Sequence, residues 1–284
     1  MTHRSSRAVI AAALLLPAGL LAQQPASPTE LNAETLLFAT AAGNVVAVVT
    51  AEGAFVVGPL SVASTATIQA AIARRTASPV RYVIAGPRAM AEAEGDGGWG
   101  RLGALVATHE AAWGRLGDEA RLAAVGATDP KAAFSEVLKF ELAQHPIHIV
   151  HQHPGYSNAD ILVHFESDNL VYLGESLPGD GYPAIDSARG GTLTGLIETL
   201  NPWTRNNQRF VPARGPVLAA ADILAFRDML VTMQNRVRAL VQSGRTADQV
   251  VAAHPSAEFD GRYGHGRVSA DAFVREIYRA VAPH

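Results

Sequence analysis

Apolar and polar positions alternate, cluster and space themselves differently along the chain, and the changes of pattern mark its elements. Two β-branched runs, Asn44 to Thr50 and residues 54–57, flank Ala51-Glu52-Gly53, which has the length and the glycine of a hairpin. Ser61 or Ser64 then stands ahead of Ile68, Ala71 and Ile72 at helical spacing, which predicts a capped helix ending before Pro79. Val80 to Ile84 reads as a continuous apolar strand. Strand, strand, helix, strand in that order predicts layered α/β packing rather than a bundle or a pure sandwich. Further strands are predicted at Val137 to Leu142, 147–151, Ile161 to Phe165 and 170–173, the last two joined by the turn Glu166-Ser167-Asp168-Asn169. Gly190-Gly191 precedes a helix at Leu193 to Leu200, and Phe210-Val211 is a short strand closed by Pro212. Beyond it Ile223, Phe226, Leu230, Met233, Val237 and Leu240 form one stripe of a long amphipathic helix that Gly244 stops. Thr246 with Gln249 is a capping box, and Phe273, Ile277 and Val281 mark a final helix.

The N-terminal segment reads as an address. Arg4 and Arg7 precede an apolar run over residues 8–21, shorter than the roughly 20 residues a membrane-spanning helix needs. Gln23 and Gln24 follow Ala22 directly, so residues 1–22 read as a secretory signal peptide cut after Ala22, with periplasmic or secreted destination. No transmembrane segment is expected after that cut. Residues 23–33 read as a flexible leader with order beginning near Glu34, residues 34–217 as the α/β body, and 218–284 as helices packed on the same domain.

Composition narrows the chemistry. Hydrophobic residues make up 48% of the 284 and charged ones 17%, enough to build a core. The formal charge of −3 becomes −5 without Arg4 and Arg7, and no basic block is long enough to track a phosphate backbone, which argues against nucleic acid. The absence of cysteine excludes disulfides, thiolate metal sites and a cysteine nucleophile, leaving His, Asp and Glu as metal ligands. No G-x-S-x-G elbow is present, and the acidic, glycine-rich run at 92–98 lacks the alternating oxygen ligands of a calcium loop.

Several stretches stand out in order: Gly43-Asn44, Glu52-Gly53, the strand ending at Ile84 and Thr108-His109-Glu110, followed by Tyr182-Pro183-Ala184-Ile185-Asp186 with Arg189-Gly190-Gly191. Gly195, Asn201, Arg227-Asp228-Met229, Arg262-Tyr263-Gly264, Phe273-Val274 and Tyr278-Arg279 continue them. Over residues 36–282 this series resembles the metallo-β-lactamase superfamily, and most closely an exported bacterial branch of metallo-hydrolase-like proteins. The resemblance implies a four-layer αβ/βα sandwich with a C-terminal helical extension. It also implies a two-zinc site at one edge of the sandwich, where zinc lowers the pKa of a bound water to about 7 and polarises the scissile bond.

This chain departs from that pattern at the expected ligands. The HxHxDH signature falls on Pro87, Ala89, Ala91 and Glu92, the His of HTxGD on Tyr156, the bridging Asp on Glu175, and the His of PGHG on Arg214. Zinc is therefore not supported, and an Arg214 ion pair with Glu175 or Glu92 is the expected replacement for the metal charge. Tyr156, Arg214 and Asp160 are candidates for holding a small, anionic ligand. A relocated metal site is the alternative: His148, His151 and His153 are the densest histidine cluster, and strand alternation puts His151 and His153 on one face, with Glu175, His109 or Asp160 as further donors. The reading that follows is an exported, non-catalytic protein that binds a small molecule, a second copy of itself or an active homologue. The alternative is a hydrolase of an ester, lactam or similar bond with a relocated or metal-free site.

Overall fold

A computed structural model describes residues 27–86, 98–114, 132–205 and 207–282. The signal segment and the expected ligand positions Pro87, Ala89, Ala91 and Glu92 lie outside the described residues. Seven strands form the first sheet in sequence order: β1 (Thr29–Glu30), β2 (Thr35–Ala39), β3 (Asn44–Thr50), β4 (Gly53–Val57), β5 (Val80–Ile84), β6 (Leu105–His109) and β7 (Ala132–Phe134). Pairing is antiparallel from β1 to β4 and parallel from β4 to β7. Six strands form the second: β8 (Val137–Leu142), β9 (His145–His151), β10 (Ile161–Phe165), β11 (Leu170–Gly174), β12 (Arg209–Pro212) and β13 (Leu218–Ala219), with β13 and β8 at the edges. Only β11 and β12 pair in parallel there.

Alternation within the strands divides their side chains among three apolar layers. Leu36, Val45, Ala47 and Val56 pack outward from the first sheet with Ile68 and Ile72 of helix α1 (Val62–Ala73). Val46, Val48, Phe55 and Val57 point the other way and meet Ile147, Ile149, Val163 and Phe165 between the sheets. Phe55 seals that contact edge-on to Phe165, ring centroids 5.7 Å apart at 85°. Leu162, Val171, Leu173 and Phe210 leave the second sheet outward into a third layer, under helices α3 (Leu193–Leu200), α4 (Ala220–Gln242) and α7 (Ala270–Val281). Helix, sheet, sheet, helix is thus the order of layers. β3 and β4 are buried at every residue, which is why they read as continuous apolar runs.

The local signals act where the sequence puts them. Ser61 caps α1 and forms a reciprocal capping box with Ser64. Ile223, Phe226, Leu230, Met233 and Val237 of α4 are buried, Leu240 is partly so, and Gly244 stands in the left-handed region at φ 79° two residues beyond the helix. The Thr246–Gln249 box opens α5 (Ala247–Ala252), ahead of the short α6 (Asp260–Tyr263). Order, however, starts before Glu34: Thr29 and Glu30 pair with Leu37 and Leu36, Glu30 forms an ion pair with Arg75, and Arg75 Nη1 donates to Ala33 O at 2.6 Å. A polar, two-residue edge strand has no periodicity of its own to announce it. Strands β6 and β7, and the one-turn helix α2 (Glu110–Trp113) after β6, likewise depend on neighbours rather than on pattern.

Candidate functional site

The loops after β4, β5 and β11 meet the loop before β10 in a narrow cleft. Gly58, Pro59, Gly86, Asp160, Tyr172 and Glu175 surround about 10 Å3 of space, the lower limit for a single water molecule. Asp160 is the centre of the β10 side. Its Oδ2 accepts from the backbone N–H of Gly155 (3.2 Å) and Tyr156 (2.6 Å) and from Ser176 Oγ (3.4 Å); its Oδ1 accepts from Ser157 N and Ser157 Oγ, both at 2.9 Å. Burial raises its pKa to about 6 against the pull of those donors. Asp160 therefore pins the loop that carries Tyr156, and its carboxyl is engaged within the protein.

Glycines let that loop lie directly on α3. A Cβ on Gly191 would stand 2.1 Å from Tyr156 O, and one on Gly195 would stand 2.2 Å from Pro154 O. Thr192 N donates to Pro154 O at 2.9 Å and Asp186 N to Tyr156 O at 2.8 Å. Tyr156 is thereby fixed by its backbone beside the cleft.

Arg214 lies near Tyr172 of the cleft and is fastened from the 41–42 turn. Nη1 donates to Ala41 O at 2.9 Å and Nη2 to Ala42 O, while its own backbone N–H donates to Pro178 O. Asn44 ties the same loop down, its Nδ2 donating to Pro212 O (3.0 Å) and Gly215 O (2.9 Å). The carbonyls of the 41–42 turn are thus partners of the guanidinium, and Glu92 lies outside the described residues. Arg214 and Glu175 both act on the buried Tyr172, whose pKa is raised well above its ordinary value by burial and by Glu175, with Arg214 opposing.

The histidine cluster is taken apart by the fold. His109, at the end of β6, stacks on His151 with centroids 3.9 Å apart and planes 21° apart. Its Nδ1 accepts from Ala111 N (3.2 Å) to cap α2, so Nε2 carries the proton it shows to Ser135 O at 3.0 Å. Both ring nitrogens are occupied, and burial followed by the neighbouring His151 holds its pKa below the ordinary value. His151 turns Nε2 to Asn158 O at 3.2 Å, whereas His153 points to Glu198 of α3, Nδ1 to Oε2 3.5 Å. The shared face expected for His151 and His153 does not form, because β9 ends at His151 and alternation ends with it. Glu175 lines the cleft, and it does not form a three-ligand group with His151 and His153 among the described residues.

A second, larger cavity of about 530 Å3 opens between the outer face of the second sheet and α3 with the turn Asn201–Arg205. His148, His164, Glu198 and Trp203 are among the residues that line it. Sequence reading passed over His164; its signal was the period-two pair His164 and Glu166 on a strand end, opposite a histidine on the neighbouring strand.

No protein-family profile and no curated protein matches this sequence. Solved structures do. The stereoselective inverting sec-alkylsulfatase Pisa1 from Pseudomonas sp. superposes with a TM-score of 0.65 at 10% identity, over 89% of this chain and 50% of its own. A double mutant of that enzyme gives the same values. A metallo-β-lactamase from Pontibacter korlensis superposes with a TM-score of 0.56 at 16% identity, over 72% of this chain and 98% of its own. This chain thus spans about half the length of the alkylsulfatase it matches. With the layer order and the two mixed sheets described above, these likenesses show that the chain has the metallo-β-lactamase fold.

Proposed function

We propose that this is an exported, non-catalytic protein of the metallo-β-lactamase fold that works by binding a small ligand or a partner, its dinuclear zinc site lost. The reading rests on Arg214. It stands where the family pattern has a metal-ligating histidine, and its guanidinium is fastened to the carbonyls of Ala41 and Ala42. A guanidinium has donors only and a permanent positive charge, so it cannot ligate a dication and repels one. Tyr156 offers a phenol in place of an imidazole, and among the described ligand positions only Glu175 keeps a carboxylate, so these residues do not fit a zinc pair. Two further observations agree: Asp160 is consumed in holding the loop, and the space beside it is no larger than a water.

Hydrolysis is the direct test. Untagged protein, with added zinc and with chelator, is assayed on chromogenic esters, β-lactams and sulfate esters, the last because a structural neighbour is an alkylsulfatase. No saturable turnover is expected under any condition. Turnover that coelutes with the protein and survives chelation would instead establish a metal-free hydrolase, and turnover that needs zinc a metal-dependent one.

A further inference from the structure

We propose that the outer face of the second sheet carries a site for a divalent transition-metal ion, ligated by His148, His164 and Glu166. It is separate from the cleft discussed above and does not depend on how that cleft is read. His148 of β9 and His164 of β10 are direct cross-strand partners and leave the same face, and Glu166, just past the end of β10, is brought to them by its contact with His148. One ligand atom from each lies within 4.8 Å of the other two, the one such group of three among the described residues. His148 Nδ1 and Glu166 Oε1 are 3.0 Å apart. Two donors about 2.1 Å from a tetrahedral ion stand roughly 3.4 Å apart, so closing the group on an ion needs only small side-chain shifts.

The surroundings suit that chemistry. Two imidazoles and a carboxylate favour zinc and its neighbours over calcium or magnesium. His164 is held in orientation by the Gln208 amide, 2.9 Å from its Nε2, and by the edge of Trp203, ring centroids 6.0 Å apart at 66°. Outer partners of this kind fix a ligating imidazole. The 530 Å3 cavity on that face leaves room for a fourth ligand, water or a small anion. Facing charges are accounted for: Glu198 and His153 pair with each other across the cavity, Glu136 adds a carboxylate at its rim, and Lys139, the β8 partner of His148, is exposed, its long stem able to keep the ammonium in solvent.

Zinc titration of the untagged chain by calorimetry tests the site. About one equivalent should bind with a Kd in or below the micromolar range, and His164→Gln and Glu166→Gln should each weaken it by about tenfold or more. The double variant His151→Gln/His153→Gln should bind as the parent does. Cobalt substituted for zinc should give visible bands that vanish in His148→Gln, a signature that a mere His148–Glu166 ion pair would not produce. Melting of the metal-free variants within a degree or two of the parent excludes misfolding as the cause. Absence of binding up to about 1 mM zinc, or equal affinity in His164→Gln and Glu166→Gln, would overturn the proposal. Loss of binding in His164→Gln and Glu166→Gln reports on this face, and turnover that persists in those variants reports on the cleft, so either reading can fail without the other.

Discussion

Asp160 shows how a single residue can read one way in sequence and serve another in the fold. Next to Tyr156 in a polar loop it looks like a ligand-binding carboxylate; in the structure five donors converge on it and it holds the loop instead. Asp160→Asn replaces one acceptor oxygen with an amide that faces N–H donors, and should destabilise the protein by about 3 kcal/mol in urea unfolding at neutral pH. The pH dependence follows from burial. The folded carboxyl keeps its proton up to about pH 6, the unfolded one only to about 3.8, so the folded state binds more protons in between. Its contribution is therefore full below pH 3.8 and is lost as the pH rises through 6. Urea midpoints measured from pH 7 to 4.5 should show the gap between parent and Asp160→Asn widening as the pH falls; a constant gap would contradict the shift. His109, held below its ordinary value, acts in the opposite direction in both proteins, so the comparison isolates the carboxyl.

At the scale of elements, close approach and packing decide stability. Helix α3 can carry the Tyr156 loop on its N-terminus only because Gly191 and Gly195 have no side chain there. Gly195→Ala puts a methyl 2.2 Å from the Pro154 carbonyl, backbone against backbone, and should lower stability by about 2–3 kcal/mol although alanine is the better helix former. The C-terminal helices are equally bound to the body. Phe273 of α7 stacks on Tyr182 with centroids 4.8 Å apart, and Tyr182 Oη donates to Asp260 at 2.7 Å. Phe273 is fully buried, so Phe273→Ala should cost about 3–5 kcal/mol, read as a fall in the urea midpoint with the single transition retained. Two transitions would mean that the helices form a separable unit. Capping boxes, the apolar stripe of α4 and the hairpin turn at 166–169 were legible because each is a local pattern of a few residues. β1, β6 and β7 were not, since two to five residues with partners far along the chain leave no periodic trace.

For the molecule as a whole, the basic start and the apolar run over residues 8–21 predict processing on export: the mature protein should begin at Gln23 by N-terminal sequencing and be found outside the cytoplasm, whereas a full-length cytoplasmic product would refute it. The sequence by itself determined the layered α/β class and most helix and strand positions, because these rest on local spacing. Only the tertiary structure decided which partners the candidate residues take. Arg214 goes to the carbonyls of a turn more than 170 residues away in sequence, and His109 meets His151 from the opposite sheet. His148, His164 and Glu166, unremarkable as neighbours in sequence, come to one face because antiparallel register sets His148 against His164. Register and loop reach are long-range properties: they arise when many apolar side chains settle together, and no short stretch of residues encodes them alone.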